Sequence, residues 1–263
     1  ISNRWRGYTR NTSIRVKDEQ LIFYIAVPGS GWAKLSLLLG CCAKLNLNRS
    51  DRREDREEIG KSGDTGCIHH KGAFWDPGME FGEGFDDLEK NHTKESFKAE
   101  CLRPFTEIND QNYLIRSHFF AETKNLNWLK KNFPNNKIIL VLRDTQLCYE
   151  GWTSAMTFTK SYPVYKAWMR LRTQEDHHYN YENLMMLIRK HDKMIREFVR
   201  DHECFIIQPN KTFIDKLGYV WDEEGKEEYM KLIMVHQFFK SEVPMFDAPF
   251  VFYNCDDLFT IQA

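Results

Sequence analysis

"FYIAVPGSGWAKLSLLLG", residues 23–40, sets an apolar run against Pro-Gly-Ser-Gly and then begins an apolar pattern at helix spacing. Residues 21–27, LIFYIAV, carry no charge and read as a strand buried on both faces. Residues 32–45 read as the helix that follows the turn. A glycine-rich turn lets backbone approach an anion, and a helix N-terminus offers unpaired N–H groups and a partial positive charge. The corner at 28–34 thus has the outline of a loop that grips phosphate or sulfate. The plain alternative is an ordinary strand–turn–helix corner.

The ATP- and GTP-binding loop, G-x-x-x-x-G-K-[ST], is a poor fit. Setting Lys34 on its lysine places Pro28 and Ala33 on the two glycines and Leu35 on the Mg²⁺-binding hydroxyl, so three of the four fixed positions fail. A Mg²⁺-dependent phosphotransferase is disfavoured, and no metal is expected.

The rest of the chain extends an α/β pattern. YLIRS at 113–117, KIILVLR at 137–143 and CFIIQP at 204–209 read as strands, the last closed by Pro209. Helical spacing runs over 122–132, 146–157, 162–174, 179–201, 211–217 and 224–239. Residues 1–20 read as a polar lead-in arm, and 48–66, dense in charge and then in glycine, as a mobile surface loop. Residues 68–88 hold four aromatics and read as an ordered loop; the aromatic tail reads as irregular. The expected fold is one α/β domain over 1–263, a three-layer sandwich around a central parallel sheet of four or five strands, with a helical C-terminal half. Ligands in such a sheet belong at the carboxyl ends of the strands.

Composition narrows the classes. The 263 residues are 42% hydrophobic and 14% aromatic, ordinary for a folded domain. A formal charge of −1 provides no global field to recruit nucleic acid. No run of 18 apolar residues offers a transmembrane helix, so no membrane partner is expected, and no leader is visible. Seven scattered cysteines, an odd number in a chain of this size, point to a reduced, cytoplasmic setting with thiols as small core residues. Four Asn-x-Ser/Thr sequons, at Asn11, Asn48, Asn91 and Asn210, add little, since such short patterns arise by chance.

Three landmarks occur in order: Pro28-Gly29-Ser30-Gly31, Arg116-Ser117-His118 and Arg143-Asp144. Their order and separation over about 23–152 resemble the P-loop sulfotransferases, which use 3′-phosphoadenosine-5′-phosphosulfate (PAPS) and release 3′-phosphoadenosine-5′-phosphate (PAP). In that family a strand ends in Pro-Lys/Arg-Ser-Gly-Thr-Thr and another in Lys-Ser/Thr-His. A third ends in Arg-Asp/Asn, with a serine eight positions after the arginine. The stretch GAFWDPGMEFG, 72–82, is also similar to sulfotransferase-like proteins from marine phage and metagenomic sequences. The resemblance implies that Gly29, Ser30, Gly31, Trp32, Ala33 and Lys34 wrap the phosphosulfate. It implies that Arg143 pairs with the 3′-phosphate through its planar fork and that His118 takes the proton from a hydroxyl or amine acceptor. An unperturbed imidazole, titrating near about 6.5, suits that task. The acceptor would be a small molecule or a carbohydrate.

Several positions depart from the family pattern. Gly29 stands where a Lys or Arg assists the leaving group, and Lys34 is the substitute one helical turn on. Trp32 and Ala33 replace two threonines, Gly151 replaces the serine, and the family's C-terminal glycine-rich clamp is not evident. Other readings therefore stand beside the enzyme: a non-catalytic nucleotide- or ligand-binding protein on the same fold, or a nucleotide-dependent phosphotransferase. His118 could be a satisfied structural histidine, Arg143 an ion-pair partner of Asp144, Lys34 a solvated helix residue and Trp32 a core residue. Cys67, His69 and His70 match no common zinc spacing, and His177-His178 reads as exposed.

Overall fold

The computed structural model describes residues 16–30, 39, 45–48, 50, 73–74, 85, 87–103, 105–151, 181–207 and 249–255. The strands are β1 (Leu21–Ala26), β2 (Ala73–Phe74), β3 (Tyr113–Arg116), β4 (Ile138–Val141), β5 (Phe205–Ile207) and β6 (Phe250–Tyr253). The helices are α1 (Leu88–Asn91), α2 (Lys94–Leu102), α3 (Thr123–Asn132) and α4 (Tyr181–Asp201). Residues 145–151 are also helical.

The six strands form one sheet in the order β2-β3-β1-β4-β6-β5. β1 lies between β3 and β4 and is parallel to both, with Tyr24 level with Arg116 and Ala26 level with Val141. This departs from the expected all-parallel sheet of four or five strands. β6 runs antiparallel to both β4 and β5, so the sheet is mixed. The cause is the tail: Phe250, Val251 and Phe252 are apolar and fully buried, and they pair along β4 where an irregular segment was expected. β5 forms where CFIIQP predicts it, yet it is an edge strand, with Phe205 42% and Ile206 59% exposed. An apolar run alone cannot separate an edge from a centre.

All six residues of β1 are buried, as a central parallel strand with two covered faces requires. On one face Phe23 meets Phe97 of α2, Phe120 and Phe133, with ring centroids 5.5–6.0 Å apart. Leu126, Trp128 and Leu129 of α3 and Ile188, Ile195 and Phe198 of α4 join the same core. Such tilted and edge-on aromatic pairs are favourable beyond the area they bury. Tyr24, Arg116 and Ile139 are buried along the even-numbered positions of the sheet.

Two parts of the expected periphery belong to the body of the protein. Val16 is buried and its carbonyl accepts from Lys98 Nζ, so the end of the lead-in arm is docked. Asn48, at the start of the charged loop, is buried and bonded by its side chain to the Glu107 carbonyl and to Asn109 Oδ1. β2 and the buried Phe85 lie in the segment read as an ordered loop. The capping box of α2, in which Thr93 and Ser96 bond each other's backbone N–H, marks a helix the sequence reading did not assign. Residues 1–15 and 51–72 lie outside those described, as do the helices expected over 162–174, 211–217 and 224–239.

Candidate functional site

Because β1, β3 and β4 are adjacent and parallel, their carboxyl ends open on one edge of the sheet. Pro28, Ser117 and Leu142 are among the first residues beyond those ends. Three motifs spread over more than a hundred residues of chain therefore meet where an open α/β sheet holds its ligands.

After β1 the chain makes a tight turn. The Ser30 N–H donates to the Val27 carbonyl at 3.1 Å, and Gly29 has φ 79°. Pro at the second position and a positive φ at the third define a type II turn, in which a side chain at Gly29 would be strained. The Ser30 amide is thus committed within the turn and is not among the donors an anion would meet. The Ser30 hydroxyl differs: the residue is 2% exposed, and among the described residues its Oγ has no hydrogen-bond partner. Gly31, Trp32, Ala33 and Lys34 lie outside the described residues.

After β3, Ser117 Oγ accepts the Phe119 N–H and starts a 3-10 turn over His118–Ala121, all of it buried. His118 Nδ1 donates to the Ala26 carbonyl at the end of β1. A carbonyl can only accept, so Nδ1 carries the hydrogen, and in the neutral ring Nε2 is the acceptor. Beside this turn, Tyr24 and Arg116 are neighbours across β1 and β3, both fully buried. Burial pushes the Tyr24 hydroxyl well above its ordinary value, against the opposing effect of the Arg116 charge.

After β4, Arg143 is 7% exposed and its Nη1 donates to the Gly29 carbonyl at 3.0 Å. Asp144 makes no ion pair with it among the described contacts; its Oδ1 instead accepts the backbone N–H groups of Gln146 and Leu147 and caps the helical segment 145–151. Gly151 closes the corner: a Cβ there would lie 2.6 Å from the Gly29 carbonyl oxygen and 3.3 Å from Arg143 Nη1. Gly29, Arg143 and Gly151 therefore meet at one point. A serine at 151, as the sulfotransferase resemblance led to expect, would strike the Gly29 backbone.

The sequence reading missed two supports of the His118 turn. Asn125, buried in α3, accepts the Leu88 N–H and donates to the Phe85 and Phe119 carbonyls. Glu122 follows the turn and accepts from His191 Nε2 at 3.1 Å and from Lys190 Nζ at 2.9 Å, both on α4. Burial alone would raise the Glu122 carboxyl; the His191 and Lys190 bonds outweigh it and hold it at about 2. A signal existed for each: Asn125 and His191 stand among the buried apolar residues of amphipathic helices, where a polar residue needs a partner.

Cys101, Cys148 and Cys255 are buried thiols and Cys204 is partly buried. Burial raises the Cys101 thiol well above its ordinary value and the Cys204 thiol to about 11. Among the described residues no group of three or more His, Cys, Asp or Glu side chains could hold a metal ion. None of the described helices is long and apolar enough to cross a membrane. In comparisons with known proteins the chain matches no family model, no curated protein and no solved structure.

Proposed function

We propose that the chain transfers a sulfuryl group from PAPS to a hydroxyl or amine of a small-molecule or carbohydrate acceptor, on a P-loop-type α/β fold. His118 is the general base, the loop from Gly29 to Lys34 cradles the phosphosulfate, and Arg143 and Gly151 border the donor site. In the step, the acceptor proton passes to His118 Nε2 and the acceptor oxygen or nitrogen bonds to sulfur. The bond from sulfur to the 5′-phosphate oxygen breaks, and PAP leaves. Positioning and charge stabilisation carry such a transfer.

The observation that carries this reading is the His118 Nδ1 bond to the Ala26 carbonyl. It sets the tautomer a base needs, at the strand ends beside the turn that follows β1. The Ser30 hydroxyl, buried in that turn without a partner among the described residues, fits an anionic ligand. The second reading, a nucleotide-binding protein without turnover, draws on the complete burial of His118 and on the commitment of the Ser30 amide inside the turn.

Calorimetric titration with PAP, with ATP·Mg²⁺ as control, tests the donor. Micromolar binding of PAP and none of ATP is expected, and no PAP binding refutes the enzyme reading. Turnover of PAPS over an acceptor panel then separates the two readings: His118→Ala should abolish transfer while PAP affinity stays within about threefold. Transfer that survives the substitution removes His118 from the base role.

A further inference from the structure

We infer that Arg143 and Gly151 act as a latch on the Gly29 carbonyl, making Arg143 a positioning residue for the anion loop rather than only a ligand contact. The inference rests on the donor-site reading above for its consequence in binding, but the latch itself stands on geometry.

The Gly29 carbonyl is held from two sides. Arg143 Nη1 donates to it at 3.0 Å from the end of β4, and Gly151 packs against it so closely that a Cβ would lie 2.6 Å from the oxygen. A bond donated by a guanidinium is stronger than a neutral one, and this guanidinium is buried. In a trans peptide the carbonyl of one residue and the N–H of the next point in opposite directions. Fixing the Gly29 oxygen toward Arg143 therefore turns the Ser30 N–H toward the Val27 carbonyl, where the 3.1 Å bond is found. The latch thus sets the orientation of the peptide that leads into the loop, and with it the place of the buried Ser30 hydroxyl. Gly29 adopts its φ of 79° at little cost only as glycine, and Gly151 admits no side chain. Two of the departures from the sulfotransferase pattern, at 29 and 151, are one coupled feature: a carbonyl facing Arg143, and a missing Cβ that makes room for it.

The inference separates two roles for Arg143. A residue that serves only the 3′-phosphate affects PAP and leaves 5′-AMP, which lacks that phosphate, untouched. A residue that positions the loop affects both. Two measurements decide between them. The first is hydrogen exchange on the full chain, without nucleotide, for Arg143→Met and Gly151→Ala. The Ser30 amide should exchange about tenfold faster in each variant, while the Phe23 amide, bonded to the Lys137 carbonyl, keeps its protection and reports that the sheet is intact. Unchanged Ser30 exchange in both variants overturns the latch. The second is calorimetry with PAP and 5′-AMP. Arg143→Met should weaken 5′-AMP about tenfold and PAP at least as much, Gly151→Ala should weaken both with the arginine intact, and Arg143→Lys should recover part of the loss. A loss confined to PAP overturns the positioning role. Failure of the wild-type chain to bind PAP sinks the donor reading alone, because the exchange measurement still decides the latch.

Discussion

Replacing Asn125 by alanine removes three hydrogen bonds to described residues, two of which tie α3 to the Phe85–Leu88 segment, 37 and 40 residues away in the chain. The Leu88 N–H loses its bond to Oδ1 at 3.0 Å, and the Phe85 and Phe119 carbonyls lose donors at 3.2 and 2.9 Å. The Phe119 carbonyl keeps the Glu122 N–H at 3.1 Å, so its loss is small. The Leu88 N–H is a buried donor at the first turn of α1, and leaving such a group unmet costs about 1–3 kcal/mol. With a smaller contribution from the Phe85 carbonyl and the vacated volume, Asn125→Ala should cost about 3 kcal/mol. That is a large share of the roughly 5–15 kcal/mol by which a domain is stable. Asn125→Asp sharpens the test. Its carboxylate still accepts from Leu88 but faces two carbonyls with no hydrogen to give, so its folded pKa lies above the unfolded value. The folded state then holds more protons, and the variant gains stability relative to wild type as pH falls from 7 to 4. Urea unfolding followed by tryptophan fluorescence, at pH 7 and pH 4, reads both effects. A cost below about 1 kcal/mol for Asn125→Ala, or an Asn125→Asp penalty that does not shrink at pH 4, refutes the account of this amide as a satisfied cross-link.

Other expectations follow from the same contacts. Glu122→Gln should destabilise at neutral pH. At face value the wild-type shift from 4.5 to about 2 is worth about 3 kcal/mol, reduced to about 1–2 kcal/mol because Lys190 is half exposed and screened. Because the folded pKa is lowered, the contribution is full above about pH 4.5 and fades toward pH 2, so the urea titrations of wild type and variant should draw together from about pH 4.5 down to about pH 2. Phe97→Ala should cost about 4 kcal/mol, since its ring meets Phe23, Phe85, Phe120, Trp128 and Phe133 within 6.0 Å; a thermal midpoint unchanged within 2 °C contradicts that packing. Ile206→Lys, on the exposed edge strand β5, should stay within about 0.5 kcal/mol of wild type by the same urea titration.

The legible parts of the fold were those in which local sequence and burial agree. β1, β3 and β4 are uncharged inside apart from Arg116, rich in branched residues and followed by polar turns, and the structure places each within a residue or two of its expected bounds. β6 was illegible because its run of apolar and aromatic residues carries no period; its strand character comes from pairing with β4, a contact 113 residues away in sequence at Ile139 and Phe252. The helices α1 and α2 were missed because α1 is a single turn and α2 buries only Phe97, Cys101 and Leu102 and is otherwise polar. At the site, the spacing of motifs brought forward Gly29, His118, Arg143 and Gly151. It could not reveal that Arg143 reaches Gly29, since that depends on the register of β4 against β1. Nor could it pair Glu122 with His191, which lies 69 residues away on α4.

In these polar residues a structural bond and a ligand role are not alternatives. A histidine has two ring nitrogens with different duties. The Nδ1 bond of His118 to Ala26 is a structural contact by any measure, yet it is also what fixes Nε2 as an acceptor. An arginine carries five N–H donors in a rigid fork, so the bond from Nη1 to Gly29 can coexist with others. For a side chain as long as histidine or arginine, a structural bond narrows the orientations that the remaining nitrogens can offer a ligand. For these two residues the structural bond supports a ligand role. It follows that alanine substitutions at His118 or Arg143 mix the two effects, and that only paired ligands and paired variants separate them: PAP against 5′-AMP for Arg143, and binding against turnover for His118.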